Sequence, residues 1–255
     1  MNTKTNSKPL AGRSALVTGA SRGIGAAIAE RLAADGARVI AHHGSGAQGA
    51  MELVARIEAA GGAATTVQAD LSTSRGPFEL MERVAGQLGG GAIDILVNNA
   101  GVAPFAATAD MTAEAFDSLA GVNMRSVFFV TQRALPLLAD GGSIVNLSSM
   151  VTRTTFPGIP AYSASKGFID VLTLHWAQEF APRRIRVNAV APGAIDTRMS
   201  AWMREPGGAE TVKAIQALPG LGQPEHIAGV VAFLVGPDGA WTTGQVIDAS
   251  GGTKL

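Results

Sequence analysis

Tyr162 is the only tyrosine in the 255-residue chain, and Lys166 is the only lysine between Lys8 and Lys213. They stand at i and i+4 in Tyr162-Ser163-Ala164-Ser165-Lys166, which opens a stretch of helical periodicity, so phenol and ammonium share one helix face. A phenol of pKa near ~10 is a poor acid or base at neutral pH unless a neighbouring cation stabilises the phenolate, and the lysine is spaced to do that. Such a pair can exchange a proton with a substrate oxygen. The spacing is common by itself, so its meaning depends on what else the chain holds.

A glycine-rich turn follows the first strand pattern. Thr18 leads into Gly19, Ala20, Ser21, Arg22, Gly23, Ile24 and Gly25, and a helical run begins at Ala26. Glycines at a strand end and helix start let backbone N–H groups close on an anion that the helix dipole also favours, as when a dinucleotide pyrophosphate is held. The Gly-x-x-x-Gly-x-Gly spacing departs from the Gly-x-Gly-x-x-Gly fingerprint, and on this motif alone a plain structural turn stays open. The chain has no Gly-Lys pair, so the Walker A lysine of nucleotide hydrolysis is missing. At the end of the second strand pattern, Ala41-His42-His43-Gly44-Ser45 offers no carboxylate to a ribose 2′-hydroxyl, while Arg22, Ser45 and His43 are available to a 2′-phosphate. NADP(H) is favoured over NAD(H); the alternative is that the histidine pair is a surface turn and both cofactors are accepted.

These residues need a frame, and the apolar pattern supplies one. Nearly continuous apolar runs at Ser14–Val17, Arg38–Ala41, Ala64–Gln68, Ile93–Val97, Ser143–Leu147, Arg186–Val190 and Gln245–Ile247 have the character of parallel strands buried on both faces. Helical spacing fills the intervals at Ile24–Ala34, Ala50–Ala60, Phe78–Gln87, Ala113–Leu138, Ala161–Phe180 and Glu225–Leu234. The alternation predicts an α/β fold, a doubly wound sheet of about seven parallel strands with helices on both faces. No linker divides it, so residues 11–255 are expected to form a single domain behind a loose tail, residues 1–10. Met199–Pro219, rich in Met, Trp and Gly, interrupts the pattern before the last helix and is expected to be a substrate lid.

Composition removes several function classes. The chain is 47% hydrophobic and 16% charged, which argues against disorder, and Lys+Arg and Asp+Glu number 20 each, leaving no basic excess for nucleic acid. With no cysteine there is no disulfide framework or thiolate site, and His42, His43, His175 and His226 show no metal-ligand spacing, so no metal is expected. His175 reads as a packing residue. No Gly-x-Ser-x-Gly elbow points to a hydrolase. The longest apolar run, Ile227–Val235, falls far short of the ~18 residues of a membrane span, and the polar N-terminus lacks a signal core, so a cytoplasmic location is expected.

Further motifs stand in register with the first two. Asp70 and Leu71 follow the third strand pattern, Asn98-Asn99-Ala100-Gly101 the fourth, and Pro192, Gly193, Ile195 and Thr197 the sixth. Asn123 lies in the long helix before the fifth strand, and Ser149 ends that strand thirteen residues before Tyr162. With Thr18–Gly25 in Thr-Gly-x-x-x-Gly-x-Gly form, the chain resembles the short-chain dehydrogenase/reductase family from about Ala11 to Gly252, and within it ketone or carbonyl reductases and 3-oxoacyl-acyl-carrier-protein reductases. The resemblance implies a Rossmann-type sheet and a dinucleotide held by the glycine loop, by Asp70 and Leu71 at the adenine, by Asn99, Ala100 and Gly101, and by Pro192, Gly193, Ile195 and Thr197 at the nicotinamide carboxamide. It also implies hydride transfer between nicotinamide and a carbonyl carbon, with Tyr162 as general acid/base, Ser149 polarising the carbonyl and Lys166 binding ribose and lowering the Tyr162 pKa. Asn123 would fix a water of the proton relay.

Phe105, Val151, Thr152, Phe156, Pro157, Met199 and Trp202 are expected around Ser149 and Tyr162, a largely apolar lining suited to a hydrophobic ketone or secondary alcohol. The stretch Leu138–Gly142 holds no Lys or Arg for an acidic carrier, which makes a 3-oxoacyl-acyl-carrier-protein reductase the alternative enzyme. A non-catalytic NADP-binding regulator is the alternative of another class, and the intact Asn123, Ser149, Tyr162 and Lys166 set argues against it. The family also implies a homotetramer, packed through the helices around Asn123 and Tyr162.

Overall fold

In a computed structural model that describes residues 8–254, β1 (Ser14–Val17), β2 (Arg38–His43), β3 (Ala63–Gln68), β4 (Ile93–Asn98), β5 (Leu138–Leu147), β6 (Arg186–Pro192) and β7 (Val246–Ala249) make one sheet. All pairings are parallel, in the order β3-β2-β1-β4-β5-β6-β7. Side chains alternate across it: Ala15 and Val17 enter one core layer, Leu16 the other. The first layer lies under α1 (Gly23–Ala34), α2 (Ala47–Ala59) and α8 (Pro224–Val235), whose Ile28, Leu32, Leu53, Ile227 and Val231 are buried. The second lies under α3 (Gly76–Leu88), α5 (Ser126–Ala134) and α6 (Pro160–Glu179), through Leu80, Val84, Val130, Ile169 and Trp176. Each fully buried side chain of this size contributes about 1.5–3 kcal/mol, so the doubly covered sheet is a stiff platform for the loops at its carboxyl edge.

The chain order reverses between β1 and β4, and there a doubly wound sheet leaves its crevice. The loops after β1, β4, β5 and β6 all emerge on that side.

Several boundaries differ from the sequence pattern. The single helix expected over residues 113–138 is broken into α4 (Ala113–Ala120), a π turn over Gly121–Arg125, α5, and a 3-10 turn over Leu135–Leu137. A Cβ on Gly121 would lie 2.9 Å from the Ser72 carbonyl, and Pro136 has no N–H to continue the helix. As a result β5 begins at Leu138 rather than Ser143, and a register shift between Ile93 and Ile95 absorbs Asp140-Gly141-Gly142. Of the expected tail, residues 1–7 lie outside the described residues, whereas Leu10 is buried in the first core layer with its N–H donated to the Asp35 carbonyl at 2.8 Å. The segment 199–219 holds regular structure, a 3-10 turn over Ala201–Arg204 and α7 (Pro206–Ile215).

Candidate active site

The glycine loop owes its shape to contacts a side chain would block. Gly19 has φ +66°, and a Cβ there would come within 2.9 Å of the Ala100 Cα. A Cβ on Gly25 would overlap the Gly19 carbonyl and the Asn99 carboxamide. Asn99 donates from Nδ2 to the Thr18 carbonyl at 2.8 Å and the Gly19 carbonyl at 3.0 Å, and Thr18 Oγ1 accepts the Asn99 and Ala100 N–H groups at 2.9 and 3.0 Å. The loops after β1 and β4 are thus one bonded unit astride the crevice, with Gly101 continuing it toward Asn123 and Lys166. Asn99 braces this cradle with its side chain, and the partner Thr18 was not among the expected site residues.

A second buried polar chain holds the helices. Asn98 Nδ2 donates to Thr131 Oγ1 at 3.0 Å and to Asn146 Oδ1 at 2.9 Å, Asn146 Nδ2 donates to Thr173 Oγ1 at 3.0 Å, and Thr173 returns to the Ile169 carbonyl at 2.8 Å. It fixes α5 and α6 to the centre of the sheet. Asn146 and Thr173 belong to none of the motifs above, although an asparagine inside the apolar run Ile144-Val145-Asn146-Leu147 is a usable signal, because a buried amide must find partners. Asn123, in the π turn and 1% exposed, accepts the Val102 N–H at 2.9 Å and donates to the Val102 carbonyl at 2.9 Å and Ser165 Oγ at 3.1 Å. Both its donors are committed, so its carboxamide holds the turn after β4 against α6 and has no N–H left for a water.

Ser149 caps the 3-10 turn over Met150–Thr152, and its hydroxyl acts on the phenol of Tyr162, which enters from the first turn of α6. Burial pushes the Tyr162 pKa above its ordinary value, and the Ser149 hydrogen bond works in the opposite direction. The phenol is therefore protonated at neutral pH. Lys166, one turn on and buried, has its pKa pushed down to about 8 by desolvation, with the Asp170 carboxylate opposing. Its ammonium donates to the Leu147 carbonyl at 2.6 Å and lies 5.7 Å from the Tyr162 ring centre. The expected lowering of the Tyr162 pKa is absent from the chain by itself, since the lysine charge faces a carbonyl and burial dominates the phenol.

At the far end of the crevice, Ser21 packs on the loop between β2 and α2. A Cβ on Gly46 would lie 2.6 Å from Ser21 Oγ, so Ser21, Arg22 and Ser45 are brought to one place. Arg22 and Ser45 are exposed, and Arg22 forms no ion pair among the described residues. The histidine pair is no surface turn: His42 and His43 are both buried, with His43 Nδ1 on the Gly44 carbonyl at 3.0 Å. Asp70 is exposed and held in place by the Ser72 N–H and Oγ at 3.0 and 2.7 Å, which lower its pKa, while the Leu71 side chain is buried in the second core layer. His175 is exposed on α6 rather than packed.

Pro192 is buried at the end of β6, and in the loop that follows Gly193 abuts Ser250 and Ile195 pairs with Gly222. Thr197 is fixed by Ser200, whose Oγ lies 3.0 Å from Thr197 Oγ1 and also bonds the Ile195 carbonyl. A Cβ on Gly23 would meet Thr197 Cγ2 at 3.4 Å, so the loops after β1 and β6 face each other across the crevice. The glycine cradle, the polar far end and this opposing loop fit a dinucleotide. Beyond them Phe105 and Trp202 meet edge to face with ring centres 6.4 Å apart, joining the loop after β4 to the segment before α7. Both are exposed, 59% and 40%, as is Met199, while Val151 and Phe156 are half-buried and Pro157 is exposed. Lys254, which lies outside every sequence motif above, donates to the Thr155 carbonyl at 2.7 Å and lies 4.5 Å from the Phe156 ring centre. Among the described residues no group of three metal-ligating side chains occurs and no helix is long and apolar enough to cross a membrane.

Known proteins resemble the chain over nearly its whole length. The family described as enoyl-(acyl carrier protein) reductase matches residues 19–254. An uncharacterized oxidoreductase of Methylorubrum extorquens is 45% identical over 248 residues, 96% of this chain and 99% of that protein. The 3beta-hydroxysteroid dehydrogenase 1 of Eggerthella lenta is 36% identical over 250 residues, 96% of this chain and 95% of that one. Among solved structures, the angucycline C-6 ketoreductase LanV with bound NADP superposes with a TM-score of 0.93 at 45% identity, over 97% of each chain.

Proposed function

The chain belongs to the short-chain dehydrogenase/reductase family of oxidoreductases, and from that premise we propose that it reduces a hydrophobic ketone to a secondary alcohol with NADPH. The observation that carries this reading is the Ser149 hydroxyl against the protonated, half-buried Tyr162 phenol, with Lys166 on the same helix. Ser149 donates a hydrogen bond to the substrate oxygen and orients it. Tyr162, protonated in the chain by itself, gives that oxygen its proton as negative charge develops. NADPH, held by the glycine cradle, would supply the hydride that becomes the new C–H bond. Lys166, freed from the Leu147 carbonyl, has three N–H donors for ribose hydroxyls and stabilises the phenolate left behind. Asn123 keeps α6 in register with the turn after β4.

Arg22, Ser45 and Ser21 support NADPH over NADH, since a cation and hydroxyls suit a 2′-phosphate and no carboxylate stands at the end of β2 to repel it. LanV carries NADP in its structure. For the substrate, the Phe105–Trp202 pair favours a flat, fused-ring ketone, and the named relatives concern an angucycline and a hydroxysteroid, both fused-ring skeletons. The exposed Phe116, Phe128, Val171 and Leu174 on α4, α5 and α6 support a homotetramer.

The deciding experiment monitors NADPH consumption with fused-ring ketones, a 3-oxoacyl-carrier thioester and an enoyl thioester. Turnover of the ketones, lost in Tyr162→Phe with NADPH binding retained, is the expected result. Turnover of the thioesters alone transfers the assignment to a carrier-linked reductase, and NADPH binding with no turnover in the wild type makes the chain a binding protein.

A further inference from the structure

His42 is buried at the end of β2, touches none of the reacting groups, and is bonded on three sides. Its Nδ1 accepts the Gly19 N–H at 3.1 Å and its own carbonyl accepts the Ala20 N–H at 2.8 Å, so one residue takes the first two amides of the glycine loop. Its Nε2 lies 3.1 Å from the Ala69 carbonyl, immediately before Asp70. Because Nδ1 accepts, the ring proton sits on Nε2 and is donated to Ala69; the ring is a neutral connector of fixed tautomer. Burial supports this, holding the His42 pKa down to about 4, with the neighbouring His43 charge acting in the same direction and the Ala69 bond opposing.

We propose that His42 is a positioning residue for the dinucleotide, fixing the start of the glycine loop to the end of β3 so that the pyrophosphate and adenine walls form one cradle. The inference rests on the reading that this chain binds a nicotinamide dinucleotide. His42 acts through Gly19, Ala20 and Ala69, and being neutral it adds no charge for a 2′-phosphate. Its influence therefore falls equally on NADPH and NADH.

The test is calorimetric titration of both cofactors into wild type, His42→Phe, which lacks both ring bonds, and His42→Asn, whose Oδ1 replaces Nδ1, with thermal midpoints recorded alongside. His42→Phe is expected to weaken both cofactors alike by about tenfold, and His42→Asn to recover most of the loss. A lower thermal midpoint in His42→Phe with unchanged cofactor affinity reduces His42 to a core residue and overturns the proposal. Selective loss of NADPH also overturns it, because it would mean direct contact with the 2′-phosphate. Should His42→Phe fail to fold, nitrogen NMR of the wild-type histidines decides: NADPH is expected to slow exchange of the His42 Nε2–H at least tenfold, and unaltered exchange refutes the link. If wild type binds neither cofactor, the underlying reading falls, and the proposal with it.

Discussion

The Lys166 ammonium and the Tyr162 phenol share a helix face, yet in the chain by itself the ammonium lies 5.7 Å from the ring centre and donates to the Leu147 carbonyl at 2.6 Å. The i, i+4 spacing brings the side chains together, and burial then determines their charges. It pushes the phenol up and the ammonium down, so each group leans toward its neutral form.

That lean gives a pH dependence with a definite sign. The folded chain holds Lys166 at about 8, whereas an unfolded chain holds it near 10.5. Between those values the unfolded state binds more protons, so stability rises with pH. The cost of burying the ammonium is present in full below about 8 and is relieved by about 10.5. Thermal midpoints of the wild type relative to Lys166→Met should climb through this window; a flat difference would mean that the lysine is not desolvated.

Removing the Tyr162 hydroxyl should lower kcat by ~10²–10⁴-fold without weakening NADPH binding. Ser149→Ala should cost roughly 10²-fold, since it withdraws one donor from the developing oxyanion. Pre-steady-state hydride transfer read by NADPH absorbance separates these losses from cofactor effects, and equal losses in cofactor affinity would assign both residues to binding.

Gly25→Ala should abolish binding of both cofactors, because the methyl group overlaps the Gly19 carbonyl and the Asn99 carboxamide that shape the loop. Gly86→Ala, where a Cβ meets nothing, is the control and should bind normally. Calorimetry on the two variants checks this, and retained binding in Gly25→Ala would remove the loop from the cofactor site.

Lys254→Ala should raise KM for a fused-ring ketone about two- to fivefold and leave cofactor affinity unchanged, the size expected for losing a partly exposed cation–π contact at Phe156. Trp202→Ala should act in the same direction through the Phe105 contact. Steady-state kinetics at saturating NADPH provides the measurement.

The segment 199–219 should become less accessible to protease when cofactor and substrate saturate the enzyme. It carries the exposed Met199 and Trp202, and Trp202 meets Phe105 of the loop after β4 edge to face. Unchanged cleavage would argue against a lid.

Much of this was legible in the chain itself. Runs such as Ile93–Val97, apolar at nearly every position, announce strands covered on both faces, because only burial on both sides tolerates them. Tyr162 and Lys166 declare their shared face by spacing, and Gly19, Gly23 and Gly25 declare a turn that needs room for backbone. Tertiary structure decided what local pattern cannot encode. The helix containing Asn123 reads as continuous, yet Gly121 must pass close to the Ser72 carbonyl and the turn widens there. His42 and His43 look like a polar turn, yet β2 continues through them beside β3, and long-range pairing buries both. Lys254 meets Phe156 from 98 residues away. Periodicity records which face of an element avoids water; which distant carbonyl, ring or amide meets a polar side chain is set only when the layers close.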